Sequence, residues 1–348
     1  MAQLRLDDPS PFIHYDETFR MATPYGDGAI SFYSDGGTYH GTNTVNSAAT
    51  ITFNGTGITL YGAKRYNHGT VTFHDTAASV LSGELYLAGA YTVNLDGEDT
   101  VGQGHSGEPI FGFVMYNRQN LNNGPHTLKL SNTPTNATAK KSYWVDIDYV
   151  ILTTEVADKS VNIDHSKFRY DPQDAWTTNN QVVGVPNDVS LHAVQKKDAS
   201  ATIFFTGSAI DLYGVVCPTC GSFSVNLDGM PQSSKPFKTA TGAGEWTKTS
   251  QVFFSARNLD DSPHVLRITT LDDQPVALQE AVVFSALNGS GSLLVEGDDK
   301  TQQGGLPSSV IILIKRLRVF GWPGADAATV QSYSFDVVVL RIVFDIRD

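Results

Sequence analysis

The sequence lacks an excess of basic residues, long apolar runs and a secretory leader. Its 348 residues carry 24 Lys and Arg against 36 Asp and Glu, a net charge of −12. Nucleic acid and anionic membrane surfaces both require clustered Lys and Arg, so the charge argues against either partner. The apolar segments at 310–314 and 337–343 are much shorter than the roughly 18 residues of a membrane span, so no span is expected. Residues 1–8 contain no apolar core of a signal peptide, so either the protein is intracellular or the start of the gene has been missed, and we favour the second.

Motifs of catalysis and metal binding are also missing. The chain contains no Gly-x-Ser-x-Gly, no phosphate-binding loop and no His-Glu-x-x-His. The recurring His residues have no second His or carboxylate at ligand spacing, so no metal site is predicted. We therefore predict no catalytic residue and no cofactor. The sequence indicates no oligomeric state.

One segment of the chain occurs twice. Residues 49–62 (ATITFNGTGITLYG) match residues 201–214 (ATIFFTGSAIDLYG) at 9 of 14 positions. Each segment alternates apolar and polar residues on both sides of a Gly, which predicts a strand, a tight turn and a second strand. Further matching pairs follow downstream: 90–97 with 222–229, and 120–130 with 258–268.

Turn residues and short alternating strands dominate both halves of the chain. Gly, Asn, Thr and Ser are abundant, and the strands that end at Gly97 and Gly229 both finish in Asp-Gly, a strong hairpin signal. Neither half contains a convincing helical period. The pattern predicts an all-β fold of two tandem β-sandwich (jelly-roll) domains with an irregular C-terminal tail.

The repeat sets the expected domain boundaries. We expect a first domain at residues 1–156, called copy one below, and a second at 160–287, called copy two, followed by a tail at 288–348 that is disordered or mis-called. Copy one carries 20 extra residues, 70–89, whose removal restores the register with copy two. These residues form either a loop insertion that shapes a binding face or a retained intron, and we favour the intron.

The repeated blocks, together with Trp-Val-Asp-Ile-Asp-Tyr-Val at 144–150, resemble those of fungal cell-surface or secreted proteins with tandem galactose-binding-like jelly rolls. The resemblance covers roughly residues 10–287. It implies two domains of this kind and an extracellular or cell-surface location. The ligands of the family are mostly undefined, so the resemblance assigns no residue to a site.

Sugar binding by a β-sandwich requires exposed aromatic rings beside groups that pair with hydroxyls, and such groups stand in loops at one end of the sandwich. The loop after the first repeated segment is dense in suitable types. In copy two, we expect Trp176 to lie outside the core, near Asp174, and Trp246 is another candidate. The predicted ligand-binding residues are Arg65, Tyr66, Asn67, His68, Asp174, Trp176 and Trp246.

Other polar features have structural interpretations. Cys217 and Cys220 lie between two strands, which favours a local disulfide and agrees with an oxidising compartment. Asp146 and Asp148 alternate along a predicted strand, and we expect them on a solvated outer face, although such a pair also suits glycosidic cleavage or calcium. Glycosylation sequons occur at Asn54, Asn136 and Asn288.

The sequence thus favours a non-catalytic, carbohydrate-binding protein. Two other functions stay open at this point. One is a fragment of a surface receptor or adhesion protein whose ligand is another protein. The other is a glycoside hydrolase or polysaccharide lyase that uses acidic residues in a sandwich groove.

Overall fold

β-Strands form nearly all of the regular structure in the computed structural model. The structure describes residues 2–22, 26–68, 70–71, 87–88, 90–134, 143–156, 159–178, 182, 184–240, 246–260 and 262–285. The tail at 288–348 and most of the 70–89 insertion lie outside these residues. All described residues belong to the compact unit Met1–Gly297.

Copy one contains a seven-stranded sheet, a three-stranded sheet and a two-stranded ribbon, all antiparallel. The seven strands are β1 (Ala2–Asp7), β2 (His14–Tyr15), β5 (Ala48–Lys64), β8 (Ala90–Leu95), β9 (Glu98–Gln103), β10 (Ile110–Asn132) and β12 (Tyr149–Thr154). The three-stranded sheet holds β3 (Arg20–Met21), β4 (His40–Thr42) and β11 (Val145–Ile147). The ribbon pairs β6 (Thr70–Val71) with β7 (Leu87–Ala88). A 3₁₀ turn at Ile30–Phe32 and a one-turn helix, α1 (Ser34–Gly37), precede β4.

Copy two contains two antiparallel sheets. The five-stranded sheet holds β13 (Ser160–Asp164), β15 (His192–Val194), β17 (Ala209–Val216), β21 (Lys248–Ala256) and β23 (Val276–Phe284). The six-stranded sheet holds β14 (Arg169–Asp171), β16 (Ser200–Thr206), β18 (Ser222–Leu227), β19 (Met230–Pro231), β20 (Phe237–Lys238) and β22 (Pro263–Thr270). Two 3₁₀ turns span His165–Lys167 and Gln173–Ala175. The structure therefore confirms the all-β class.

Strand pairing respects the repeat. Within the described ranges, strands of copy one pair only with each other, and so do the strands of copy two. This agrees with two sheet-forming units, although the exact boundaries at 156 and 160 stay a prediction.

The repeated segment is not a hairpin, and this part of the sequence prediction is wrong. In copy one it forms a single continuous strand, β5, whose first half pairs with β2 and whose second half pairs with β12. In copy two, β16 belongs to the six-stranded sheet and β17 to the five-stranded sheet. The Gly that resembles a hairpin turn instead marks the point where the chain passes from one set of strand partners to another.

Close backbone approach explains why this Gly recurs. A Cβ on Gly55 would lie 2.5 Å from the carbonyl oxygen of Thr153, and one on Gly207 would clash with the carbonyl oxygen of Phe284. The residue is therefore required for contact with a neighbouring strand and not for a turn.

The two Asp-Gly hairpins are confirmed. Asp96 and Gly97 connect β8 to β9, and Asp228 and Gly229 connect β18 to β19, all four residues with positive φ. In copy two the Asp228 carboxylate also accepts hydrogen bonds from His264 Nδ1–H (2.8 Å) and the Val265 N–H (2.8 Å). Copy one repeats these contacts, which supports a turn-stabilising role for the recurring His.

A buried polar pair also recurs, with different chemistry. In copy one, His40 Nδ1–H donates to the Asp8 carboxylate at 2.7 Å, and Tyr15 stacks on the His40 ring. In copy two, the equivalent contact is between two imidazoles, since His165 Nδ1 and His192 Nδ1 lie 2.5 Å apart. Burial lowers the pKa of both, so the pair is neutral at pH 7.

Apolar and polar contacts join the two copies. The ring of Phe12 packs edge-on against Phe254 with centroids 6.5 Å apart. Ser10 Oγ–H donates to the carbonyl oxygen of Val252 at 2.6 Å, and Lys248 Nζ lies 2.5 Å from the Asp7 carboxylate. These contacts hold the N-terminal segment of copy one against copy two.

Candidate functional site

The predicted ligand-binding loop of copy one forms a tight turn directly after β5. The His68 N–H donates to the carbonyl oxygen of Arg65 at 3.0 Å, which closes the turn. Arg65 and His68 are buried and Asn67 is half-buried, whereas Tyr66 is 63% exposed. Of the four residues, only Tyr66 therefore presents its ring to solvent.

Arg65 anchors this turn to the segment before the 3₁₀ turn. Its guanidinium makes a two-point contact with the Asp27 carboxylate, through Nη1 and through Nη2 at 2.9 Å. Tyr39 Oη–H donates to the same carboxylate at 2.6 Å. Burial disfavours the charged carboxylate, but the Arg65 and Tyr39 hydrogen bonds hold the pKa of Asp27 well below its ordinary value. The guanidinium is thus committed to an internal ion pair.

His68 is held by a second buried carboxylate. His68 Nδ1–H donates to the carbonyl oxygen of Ala63 at 2.9 Å, and Nε2 lies 3.3 Å from Asp146. Asp146 also accepts hydrogen bonds from the Ala63 N–H (2.8 Å) and from Tyr33 Oη–H. These bonds fix the direction in which the turn leaves β5.

The expectation that Asp146 and Asp148 face solvent is wrong, because their exposed fractions are 1% and 0%. The predicted strand is interrupted at Asp148, which lies between β11 and β12. There the Asp148 carboxylate accepts hydrogen bonds from the N–H (3.2 Å) and Oγ–H (3.1 Å) of Ser34. Both carboxylates therefore hold loops in place.

An aromatic surface lies beside the Arg65 turn, and sequence reasoning missed it. Phe32 is 67% exposed and stacks on Phe111, with centroids 5.3 Å apart and an angle of 20° between the rings. Tyr33 meets Phe111 edge-on at 5.0 Å, and the Arg65 guanidinium lies 5.9 Å from the Phe111 ring. Phe32 stands in a Gly- and Ser-rich loop with no periodic pattern, so its exposure was not readable from the sequence.

The loop after β9 lies against the same turn. The Arg65 N–H donates to the carbonyl oxygen of Gly104 at 3.1 Å, and the Ser106 N–H donates to that of Arg65 at 3.3 Å. Gln103 and His105 are thus brought to the turn from a distant part of the chain. We call Phe32, Tyr66, Asn67, Gln103, His105 and Phe111 the loop face of copy one.

Three polar atoms of the loop face are buried without a hydrogen-bond partner within the described residues. They are Asn67 Oδ1, Gln103 Oε1 and His105 Nδ1. An unsatisfied buried polar atom costs about 1–3 kcal/mol, and folded proteins contain few of them. Such atoms suit a ligand that supplies hydroxyl groups.

The matching turn of copy two has different chemistry. Cys217 and Cys220 occupy the positions of Arg65 and His68, and a disulfide joins them with Cα atoms 5.1 Å apart. The Cys220 N–H donates to the carbonyl oxygen of Cys217 at 3.2 Å, as in copy one. The backbone turn is therefore shared, while copy two has Pro218 and Thr219 where copy one has Tyr66 and Asn67.

The candidate residues of copy two do not extend this surface. Trp176 is 5% exposed and its ring packs 4.6 Å from that of Tyr170, so the expectation that it lies outside the core is wrong. Its indole belongs to the hydrophobic core. Asp174 is exposed in the 3₁₀ turn Gln173–Ala175, and Trp246 is half-buried just before β21.

Other predicted sites fall in part outside the described ranges. Asn54 is half-buried within β5, opposite Pro125, whereas Asn136 and Asn288 lie outside the described residues. Among the residues that the structure describes, no group of three His, Cys, Asp or Glu side chains is placed to hold a metal. Nor does any described helix have the length and hydropathy to cross a membrane.

Comparisons with known proteins return carbohydrate-related matches. No protein-family model matches the chain. The chain is 24% identical over 240 residues to "A type blood alpha-D-galactosamine galactosaminidase" of Flavonifractor plautii, a match that covers 68% of this chain and 19% of that enzyme. The chain thus corresponds to a minor part of the curated relative.

Solved structures that match this chain include an enzyme and a binding module. A xanthan lyase of Paenibacillus is 14% identical, with a TM-score of 0.25, over 78% of this chain and 25% of the lyase. The carbohydrate-binding module CBM36, solved with calcium and xylotriose, is 10% identical, with a TM-score of 0.24, over 36% of this chain and 99% of the module. At these TM-scores, neither structure assigns a role to a residue of this chain.

Proposed function

We propose that this protein binds carbohydrate without catalysing a reaction, and that the loop face of copy one is the binding surface. The supporting observation is the combination of exposed aromatic rings at Phe32 and Tyr66 with unpaired polar atoms on Asn67, Gln103 and His105. The apolar side of a sugar ring packs on an aromatic ring, and its hydroxyls need donors and acceptors beside that ring. The loop face carries both.

The chemistry of each group suits hydroxyl recognition. The side chains of Asn67, Gln103 and His105 are half-buried, and their amide and imidazole groups are of the types that donate hydrogen bonds to sugar hydroxyls and accept from them. Phe111 stacks on the Phe32 ring, and the Arg65 guanidinium, paired with Asp27, lies beside Phe111. A rigid surface of this kind loses little conformational entropy on binding.

The rest of the proposal concerns ligand and location. The name of the curated relative specifies galactosamine, so glycans that end in α-D-galactosamine or galactose are the first ligands to test. We place the protein outside the cell or on its surface, in accord with the Cys217–Cys220 disulfide and with the resemblance to fungal surface proteins. In copy two, this disulfide closes the matching turn, and we propose that the turn has a structural role.

A glycan array followed by calorimetry tests the proposal. We expect the full chain to bind a defined set of glycans, and Phe32→Ala and Tyr66→Ala each to weaken binding about 2- to 12-fold, as loss of about 0.5–1.5 kcal/mol of stacking implies. Met230→Ala is the matched control, because Met230 is a 66% exposed apolar residue of copy two, away from the loop face. Its affinity should equal that of the wild type.

Two outcomes would count against this function. Binding to a protein partner without any glycan signal would favour the receptor or adhesion function. Release of reducing ends from a polysaccharide panel would favour an enzyme, and the loop-face variants would then show whether the same surface holds the substrate.

A further inference from the structure

A cleft between the two copies forms a second concave surface, apart from the loop face. Its volume is about 730 Å³, within the range of small-molecule sites. One wall is the segment from Pro9 to Met21 of copy one, and the other is the loop from Lys235 to Ala240 of copy two. The cleft exists only because the two copies pack together.

The walls of the cleft are held firmly. His14 packs on Phe237 with ring centroids 5.2 Å apart, which joins the two walls at the cleft itself. Behind them, the Ser10–Val252 hydrogen bond and the Phe12–Phe254 ring contact fix the same segment. A ligand therefore meets a preformed surface.

The floor of the cleft is largely apolar and aromatic. Ile13, Phe19 and Met21 are buried and contribute to the lining, together with Tyr15. The Tyr15 and Phe19 rings lie 5.2 Å apart. A floor of this size and character fits a ligand with an apolar ring face, and not a small inorganic ion alone.

The rim of the cleft is cationic, in a chain whose net charge is −12. Arg20 stands on one wall, with Lys235 and Lys238 on the other, and all three are exposed. None of the three forms an ion pair with any described residue. Lys235 is close enough to His14 to contribute, after burial, to lowering the pKa of that imidazole.

Two carboxylates also line the cleft, and one of them already accepts hydrogen bonds from neighbouring residues. Asp16 accepts hydrogen bonds from the Thr18 N–H (3.0 Å), from Thr18 Oγ–H (2.7 Å) and from the Ala48 N–H (2.6 Å). Glu17 is exposed at the rim. The three cations therefore outnumber the carboxylates, and they stand on both walls, where they can pair with negative charges spaced along a chain.

We propose that this cleft binds an acidic oligosaccharide, with its uronate carboxylates on Arg20, Lys235 and Lys238 and a sugar ring on the apolar floor. The site is independent of the loop face, so it holds whether or not the loop face binds neutral glycans. Charge-assisted hydrogen bonds to carboxylates supply the selectivity for the acidic ligand.

Calorimetry with matched trisaccharides tests this site. In the Tyr66→Ala background, which weakens the loop face, the full chain should bind a galacturonic acid trimer at least about tenfold more tightly than the neutral galactose trimer of the same linkage, and the difference should shrink as salt rises from about 0.1 M to about 1 M. The double variant Lys235→Gln/Lys238→Gln should lose about tenfold or more in affinity for the acidic trimer.

The control carries the same charge change elsewhere in copy two. Lys196→Gln/Lys197→Gln alters two exposed lysines outside the cleft and should bind like the wild type. Tyr66→Ala, at the loop face, should also leave acidic-trimer binding unchanged, which separates the two sites. Equal affinity for the two trimers in the Tyr66→Ala background, unaltered binding by the Lys235/Lys238 variant, or equally effective competition by citrate would overturn the proposal.

Discussion

Substitution of Asp148 provides a sharp test of how the buried carboxylates shape this protein. Burial, together with the nearby Asp8 and Asp146 carboxylates, raises the pKa of the Asp148 carboxyl from its ordinary 3.8 to about 6, although the Ser34 hydrogen bonds oppose the rise. The folded protein therefore binds a proton on Asp148 more tightly than the unfolded chain does. By linkage, the stability associated with this group is present below pH 3.8 and is lost as pH rises through about 6.

The size of the effect follows from the difference between the two pKa values. At about 1.4 kcal/mol for each pH unit, keeping Asp148 ionised at neutral pH costs about 3 kcal/mol. Asp148→Asn has nearly the same shape and carries no charge. Loss of one hydrogen bond from Ser34 costs about 1 kcal/mol, so we expect a net stabilisation of about 2 kcal/mol at pH 7.

Urea denaturation of the wild type and the variant between about pH 4 and about pH 7 measures this directly. The stability advantage of Asp148→Asn should be small or negative at pH 4 and should grow up to pH 7. Asp174→Asn is the control, since Asp174 is exposed, and its stability should follow the wild type at every pH. Parallel curves for the wild type and Asp148→Asn would refute the reasoning.

Three further predictions concern packing and charge. Gly207→Ala should destabilise by about 1–3 kcal/mol because its Cβ meets the next strand, whereas Gly107→Ala, with open space around it, should be nearly neutral, as thermal unfolding will show. Arg257→Met leaves the buried Asp211 carboxylate, 2.7 Å from the guanidinium in the wild type, without its ion-pair partner. The free energy of unfolding, measured by chemical denaturation, should fall by about 3–5 kcal/mol. The lowered pKa values of His165 and His192 mean that the wild type loses folding stability as pH falls below 6.5. His165→Asp gives His192 a carboxylate partner, so thermal unfolding measured over a pH series should show that the variant keeps this stability.

Sequence alone determined the repeat, the strand-rich class and the local turns. Period-two alternation needs only neighbouring residues, so residues such as Ile51 and Ile203 are buried as the pattern predicts. The Asp-Gly turns at 96–97 and 228–229 follow from backbone preferences of the two residues themselves. The local disulfide of Cys217 and Cys220 likewise depends on residues three positions apart.

Tertiary structure decided which strands pair and which polar groups are buried. Gly55 resembles a hairpin turn locally, but contact with a strand about 100 positions away makes it part of a continuous strand. Asp146 is a charged residue, yet it is buried against partners such as Ala63, 83 positions away. Trp176 stands in a polar stretch of sequence, yet it packs into the core. The loop face itself joins Phe32, Tyr66 and His105 from three separate segments. Such contacts depend on how remote parts of the chain come together, and no local pattern encodes them.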